Sequence, residues 1–119
     1  MRKFLRSKIH RATVTGADLE YEGSILVDSA LLEASNILPY ESVHIWNVAN
    51  GKRFQTYAIA GLPDSGQVVL NGAAARLVHA GDKIIIAAFS WLDENSIAGH
   101  QPSIVFVDDV NRIVPGTHN

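Results

Sequence analysis

The chain is built from short segments in which apolar and polar residues alternate, each cut off within about ten residues by glycine, proline or asparagine. Lys8 to Thr15 sets Ile9, Arg11, Thr13 and Thr15 against His10, Ala12 and Val14. Ser24 to Val27, Val43 to Val48, Arg53 to Ala60, Val68 to Leu70, Ile84 to Phe89 and Ile104 to Val107 are further extended candidates, rich in β-branched residues. Gly16 and Gly23 bracket a polar connection, and Leu62-Pro63-Asp64-Ser65-Gly66 is a break. Asn50-Gly51 is a hairpin signal, which predicts a two-residue type I′ turn with positive φ at both positions. Helical periodicity is confined to two short stretches. One is capped by Asp28 and carries Leu31, Leu32 and Ala34; the other is a turn from Ala73 to Leu77. After Pro115 the tail should be loose. Such a pattern cannot make a helical bundle. It predicts a mainly β domain.

A faint internal repeat narrows this further. Ile37 to Ile45 can be laid on Val78 to Ile86, each leading from a short helix through a polar turn into an apolar strand. Two such halves suggest a small closed barrel with pseudo-twofold symmetry, which removes open sheet edges. The 119 residues are enough for one domain (1–119) with a modest core. A formal charge of −2 gives no electrostatic reason to expect nucleic acid or an anionic membrane as partner. The absence of cysteine excludes disulfides, thiolate metal sites and a Cys nucleophile. Neither a signal peptide nor a membrane-length apolar run is evident, so a soluble, cytoplasmic protein is expected.

Candidate chemistry begins at Tyr21-Glu22-Gly23-Ser24. Alone, Gly-Ser is a common turn dipeptide. It is also a place where a chain can cut itself, because Gly23 has no β-carbon to shield its carbonyl from the Ser24 hydroxyl. An amide-to-ester shift, elimination and hydrolysis would leave a pyruvoyl group, an electrophile able to form a Schiff base and accept electrons. On the Arg53 segment, period two puts Arg53, Gln55 and Tyr57 on one face and Phe54, Thr56 and Ala58 on the other. That face could simply be solvated. Functionally, the Arg53 fork suits a carboxylate, and a phenol such as Tyr57 (ordinary pKa about 10) carries a proton to donate at neutral pH.

Lys8 and His10 share a face of the first strand, a common edge-strand charge pattern. Asn71-Gly72-Ala73-Ala74-Ala75 is either a plain turn or a place where backbone can approach an anionic ligand. Asp64-Ser65-Gly66 matches an aspartic-protease tripeptide but sits in a turn after Pro63, without a second copy. The five histidines lack metal-binding spacing, so no metal is expected. Hydrolase-elbow and phosphate-loop patterns are also missing.

Three blocks in order resemble the aspartate 1-decarboxylase family. They are Lys8 to Thr15 continuing to Tyr21-Glu22-Gly23-Ser24; Trp46-Asn47-Val48 with Asn50-Gly51-Lys52-Arg53 and Thr56-Tyr57-Ala58-Ile59; and Asn71 to Ala75 followed by Gly81-Asp82. The likeness runs from about Lys8 to Phe89 and more weakly to Val107. It implies a double-psi β-barrel and a zymogen that self-cleaves at Gly23-Ser24, giving a β chain (1–23) and a pyruvoyl-capped α chain (24–119). The implied reaction is α-decarboxylation of L-aspartate to β-alanine and carbon dioxide for pantothenate and coenzyme A synthesis, without pyridoxal phosphate. The resemblance further implies a homotetramer with active sites between subunits. It makes Tyr57 the proton donor, and Lys8, Arg53, Thr56, Gly72, Ala73 and Ala74 substrate-binding. Thr56 also serves self-processing, Asn71 orders the active-site loop, and His10 lies near the cleavage region. The competing expectation is a barrel that never processes itself and acts as a binding or structural module.

Overall fold

Alternation along the strands and a few polar locks between them account for the architecture. The computed structural model describes residues 1–116. Among these, nine strands form one hydrogen-bonded sheet: β1 (Arg2–Thr13), β2 (Gly16–Asp18), β3 (Ser24–Asp28), β4 (Ser42–Asn47), β5 (Arg53–Gly61), β6 (Val68–Asn71), β7 (Lys83–Leu92), β8 (Ser103–Val107) and β9 (Ile113–Val114). Two short α-helices, α1 (Ser29–Ser35) and α2 (Glu94–Ile97), and a 3₁₀ turn at Gly72–Leu77 complete it. The mainly β expectation is met. The sequence reading missed β2, α2 and β9, which are too short to show a period. Of the tail expected to be loose, residues 117–119 lie outside the described residues.

The strand order is β2-β6-β3-β5-β4-β7-β1-β8-β9. β1 and β2 are separated only by Val14 and Thr15, yet they stand far apart in that order. Val14 exchanges hydrogen bonds with the residues before β7 (Val14 N–H to Asp82 O, 2.9 Å; Gly81 N–H to Val14 O, 2.7 Å). Thr15 N–H donates to Val68 O of β6 at 2.8 Å. One continuous stretch of chain therefore joins β7 to β6, and the sheet curls around its apolar side. Ile9, Ile25, Val43, Ile45, Leu70, Ile84 and Ile86 are buried there together with Leu31 of α1.

Two local expectations are corrected. Strict alternation would put Ile9 on the side of Arg11 and Thr13, but the buried residues of this stretch are Ile9, Ala12 and Val14. The cause is a bulge: Arg11 takes φ 61°, and the pairing with β7 slips by one residue between Ile9 and Ala12. The hairpin between β4 and β5 is present, but its connection spans residues 48–52, and only Gly51 has positive φ (75°). The Asn47 and Asn50 side chains each accept the N–H two residues on (2.9 Å), a local turn that displaces the type I′ geometry. Asp28 caps α1 as expected, accepting from Ala30 N–H. It also receives N–H groups from Asp64 and Gly66, which fastens the loop after β5.

The repeat is real at the level of hydrogen bonds. Leu38 N–H donates to the Glu41 carboxylate (3.0 Å) and His79 N–H to that of Asp82 (2.9 Å). Glu41 N–H donates to Leu38 O, and Asp82 N–H to His79 O. Tyr40 N–H and Ala58 N–H tie the first turn to β5 just as Gly81 and Val14 tie the second to the end of β1.

Candidate active site

Ser24 opens β3, directly opposite Asn71 at the end of β6. Antiparallel pairing brings the two side chains together: the Asn71 carboxamide donates to Ser24 Oγ at 3.0 Å. The hydroxyl in turn donates to the carbonyl of Glu22 at 3.1 Å. Both side chains are buried, and the two hydrogen bonds orient this hydroxyl. Gly72 follows Asn71 with φ 68°, and its backbone presses on the segment before Ser24. A β-carbon there would stand 2.7 Å from Gly23 Cα and 3.1 Å from Tyr21 O. A β-carbon on Gly23 would meet open space, so the packing demands the bare backbone of Gly72 more than that of Gly23. Ala73 is exposed and Ala74 packs partly on the core.

A cavity of about 340 Å³ adjoins Ser24, lined by Tyr21, Glu22, Pro39, Tyr40, Tyr57, Ile59 and Ala60. Tyr57 reaches it because β5 runs parallel beside β3, with Ala58 opposite Ile25. A second recess of about 570 Å³ is formed by Tyr40, Ser42, Gln55, Thr56 and Tyr57. The two spaces share Tyr40 and Tyr57, whose rings stack at 6.4 Å and 25°. The sequence reading did not single out Tyr40. Its signal was slight, an aromatic after Pro39 in the first repeat turn where the second turn has Gly81.

Thus one chain gathers Gly23, Ser24, Tyr57, Asn71 and Gly72, with Thr56 on the adjoining recess, while the basic residues stay elsewhere. Lys8 is aligned with Ala87 of β7, His44 of β4 and Gln55 of β5, three strand spacings or about 14 Å from β5. Arg53 starts β5, four residues or about 13 Å before Tyr57, with its guanidinium over the Trp46 ring at 4.8 Å. His10 lies against Phe106 of β8, with Nδ1 buried and lacking a hydrogen-bond partner among the described residues. Burial, then the nearby Lys8 and Arg11 charges, hold its pKa below the ordinary histidine value. Among the described residues, no lysine or arginine lines the Ser24 cavity or the recess that adjoins it. No cluster of potential metal ligands occurs among the described residues.

The family model for aspartate decarboxylase matches residues 1–114. The chain belongs to the aspartate decarboxylase family. Aspartate 1-decarboxylase of Syntrophotalea carbinolica is 60% identical over 98% of this chain and 87% of its own length. That of Legionella pneumophila is 56% identical over 94% and 84%, and that of Dehalococcoides mccartyi 55% over 92% and 88%. Membership in the aspartate decarboxylases covers every residue assembled around Ser24, and equally Lys8, His10 and Arg53 outside it.

The residues around Ser24 fit a prosthetic group made from that side chain. The hydroxyl is buried and held between a carbonyl and a carboxamide, and the cavity beside it leaves room for a small substrate.

Proposed function

We propose that the chain is a zymogen that cuts itself between Gly23 and Ser24, and that the product decarboxylates L-aspartate at Cα to β-alanine and carbon dioxide. The observation that carries this reading is the buried Ser24 hydroxyl, fixed by Glu22 and Asn71 at a cavity shared with Tyr57. It occurs in a chain that matches the aspartate decarboxylases throughout. The pyruvoyl group expected from Ser24 would supply a ketone that takes up the substrate amine and accepts the electron pair left as carbon dioxide departs.

The chain's own residues do the rest. Asn71 holds the Ser24 oxygen, and Gly72 lets residues 21–23 lie close to the end of β6. Tyr57, on the same cavity, delivers a proton to the α-carbon, and Thr56 borders the adjoining recess as a substrate contact. Gly72, Ala73 and Ala74 hold substrate along the 3₁₀ turn after β6.

A substrate with two carboxylates needs positive charge, but among the described residues the one charged side chain on the Ser24 cavity is Glu22. Lys8 and Arg53 of a neighbouring chain would supply it, Arg53 anchoring mainly the retained β-carboxylate. His10 would approach the cleavage region from the same neighbour. On this reading the active sites would lie between subunits of a homotetramer. The product β-alanine would feed pantothenate synthesis in the cytoplasm.

Denaturing mass spectrometry tests the first step. Two fragments, residues 1–23 and 24–119, are expected from the native chain and one intact chain from Ser24→Ala. A native chain that stays whole after prolonged warming points instead to a barrel acting as a binding module. For the second step, borohydride reduction in the presence of aspartate should attach substrate to the longer fragment at its first residue. Attachment at a lysine would rule out the proposed chemistry.

A further inference from the structure

Tyr40 sits where a tyrosine is costly. Its φ is 71°, in the left-handed region that bulky side chains rarely adopt. The repeat shows what the turn itself requires, because the matching position in the second half is Gly81, with φ 94°. The two turns share the same hydrogen bonds: Tyr40 N–H donates to Ala58 O at 2.6 Å and Gly81 N–H to Val14 O at 2.7 Å. The backbone therefore asks for glycine at both places, and only one has it.

Burial does not explain the exception, since Tyr40 is 79% exposed. What the ring does touch is Tyr57, by stacking, and it borders both the Ser24 cavity and the recess that adjoins it. The turn that carries it is anchored at its base. Glu41 is ion-paired with Arg6 and accepts Leu38 N–H, while Arg6 also donates to Asn36 O. Backbone strain held in place by such anchors is found where a side chain must be presented in one position.

We propose that Tyr40 is a positioning residue for Tyr57: its ring, fixed by the strained turn, holds the Tyr57 ring against the Ser24 cavity. This rests on the reading of Tyr57 as the proton donor. Stacking needs the ring and not the hydroxyl. A proton donor displaced by about 1 Å can lose up to about a hundredfold in rate, so the effect belongs in kcat more than in KM.

The experiment compares Tyr40→Gly, Tyr40→Asn and Tyr40→Phe, with kcat expressed per cleaved chain and melting temperature measured alongside. Glycine and asparagine both tolerate positive φ, so neither variant should melt below the native protein. Both should lose at least about tenfold in kcat with KM within about twofold, and Tyr40→Phe should recover kcat to within about twofold. In a Tyr57→Phe background, Tyr40→Gly should cost nothing further, because the group it positions is gone.

Native kcat in Tyr40→Gly, a loss confined to KM, a chain that no longer self-cleaves, or a Tyr40→Phe as slow as Tyr40→Gly would each overturn the proposal. If Tyr57→Phe alone turns over normally, the assignment of Tyr57 fails and takes this inference with it. If Tyr57→Phe is slow and Tyr40→Gly is not, only the role of Tyr40 fails.

Discussion

Gly72 and His10 illustrate how single residues carry consequences that their chemistry alone does not announce. Gly72 packs its α-carbon against Gly23, in a conformation that disfavours any side chain. Gly72→Ala should therefore displace residues 21–23 and slow self-cleavage markedly while the rest of the fold forms. The fraction cleaved against time, by denaturing electrophoresis, checks this; cleavage at the native rate would show that the contact is immaterial. His10 has a buried ring nitrogen without a hydrogen-bond partner among the described residues, beside the cations Lys8 and Arg11, in a recess also lined by Lys83 and Asp109. Its pKa is lowered on folding, so just below about pH 6.5 the unfolded chain binds the proton first and stability falls as pH falls. His10→Gln should lose less stability than the native chain between pH 7 and pH 5, as read from urea midpoints. An identical pH dependence would mean that His10 is not desolvated.

Between elements, the turns that enter β4 and β7 do equivalent work with different residues. In the second, Asp82 accepts from the Asn47 carboxamide at 2.9 Å and from His79 N–H at 2.9 Å. The Asn47 donor first, then the His79 N–H and the nearby His79 charge, hold the Asp82 carboxyl below the usual carboxylate range. A depressed acid stabilises the fold above its unfolded pKa of about 3.9, and that contribution is lost as pH falls through the lower folded value. Asp82→Asn should thus be less stable at neutral pH and lose less on acidification below about pH 4; urea titrations at pH 7 and pH 3 measure the difference. Much of this layer was legible in advance. β4, β5 and β7, the Asp28 cap and the Ile37/Val78 repeat all follow from alternation and turn residues. The Arg11 bulge was not, since a positive-φ arginine leaves no sign in the period. The Asn47 and Asn50 side-chain turns likewise override a dipeptide that reads as type I′. For the site, Ser24, Asn71, Gly72, Thr56 and Tyr57 were named before their geometry was known. Tyr40 was overlooked because its importance lies in a backbone angle and a ring contact, neither of which a single sequence displays.

At the scale of the whole molecule, the proposed assembly would account for the separation of the Ser24 cavity from Lys8 and Arg53. Lys8, Gln55, Arg53 and Trp46 share the outward face of the curled sheet, as the pairings of β1, β7, β4 and β5 require. That face also carries Phe89 and Trp91, with the Lys3 ammonium 5.4 Å from one ring centre and 6.0 Å from the other. An aromatic face with Trp91 exposed and cations at its rim suits contact with a second copy whose cavity carries Glu22. If each site combines Ser24 from one chain with Lys8 from its neighbour, two inactive variants should rescue each other. Ser24→Ala keeps Lys8 but has no electrophile to offer; Lys8→Ala makes the electrophile but lacks the charge. Co-expressed in equal amounts and assembled at random, they should regain activity at about a quarter of the sites, because half the chains supply each partner. Separately purified variants mixed without subunit exchange should remain as slow as either alone. Should the co-expressed pair be no more active than Lys8→Ala by itself, Lys8 and Ser24 would have to act within one chain. The roughly 14 Å between Lys8 and β5 would then have to close by a rearrangement of β4 and β7, which these strands, paired on both sides, oppose.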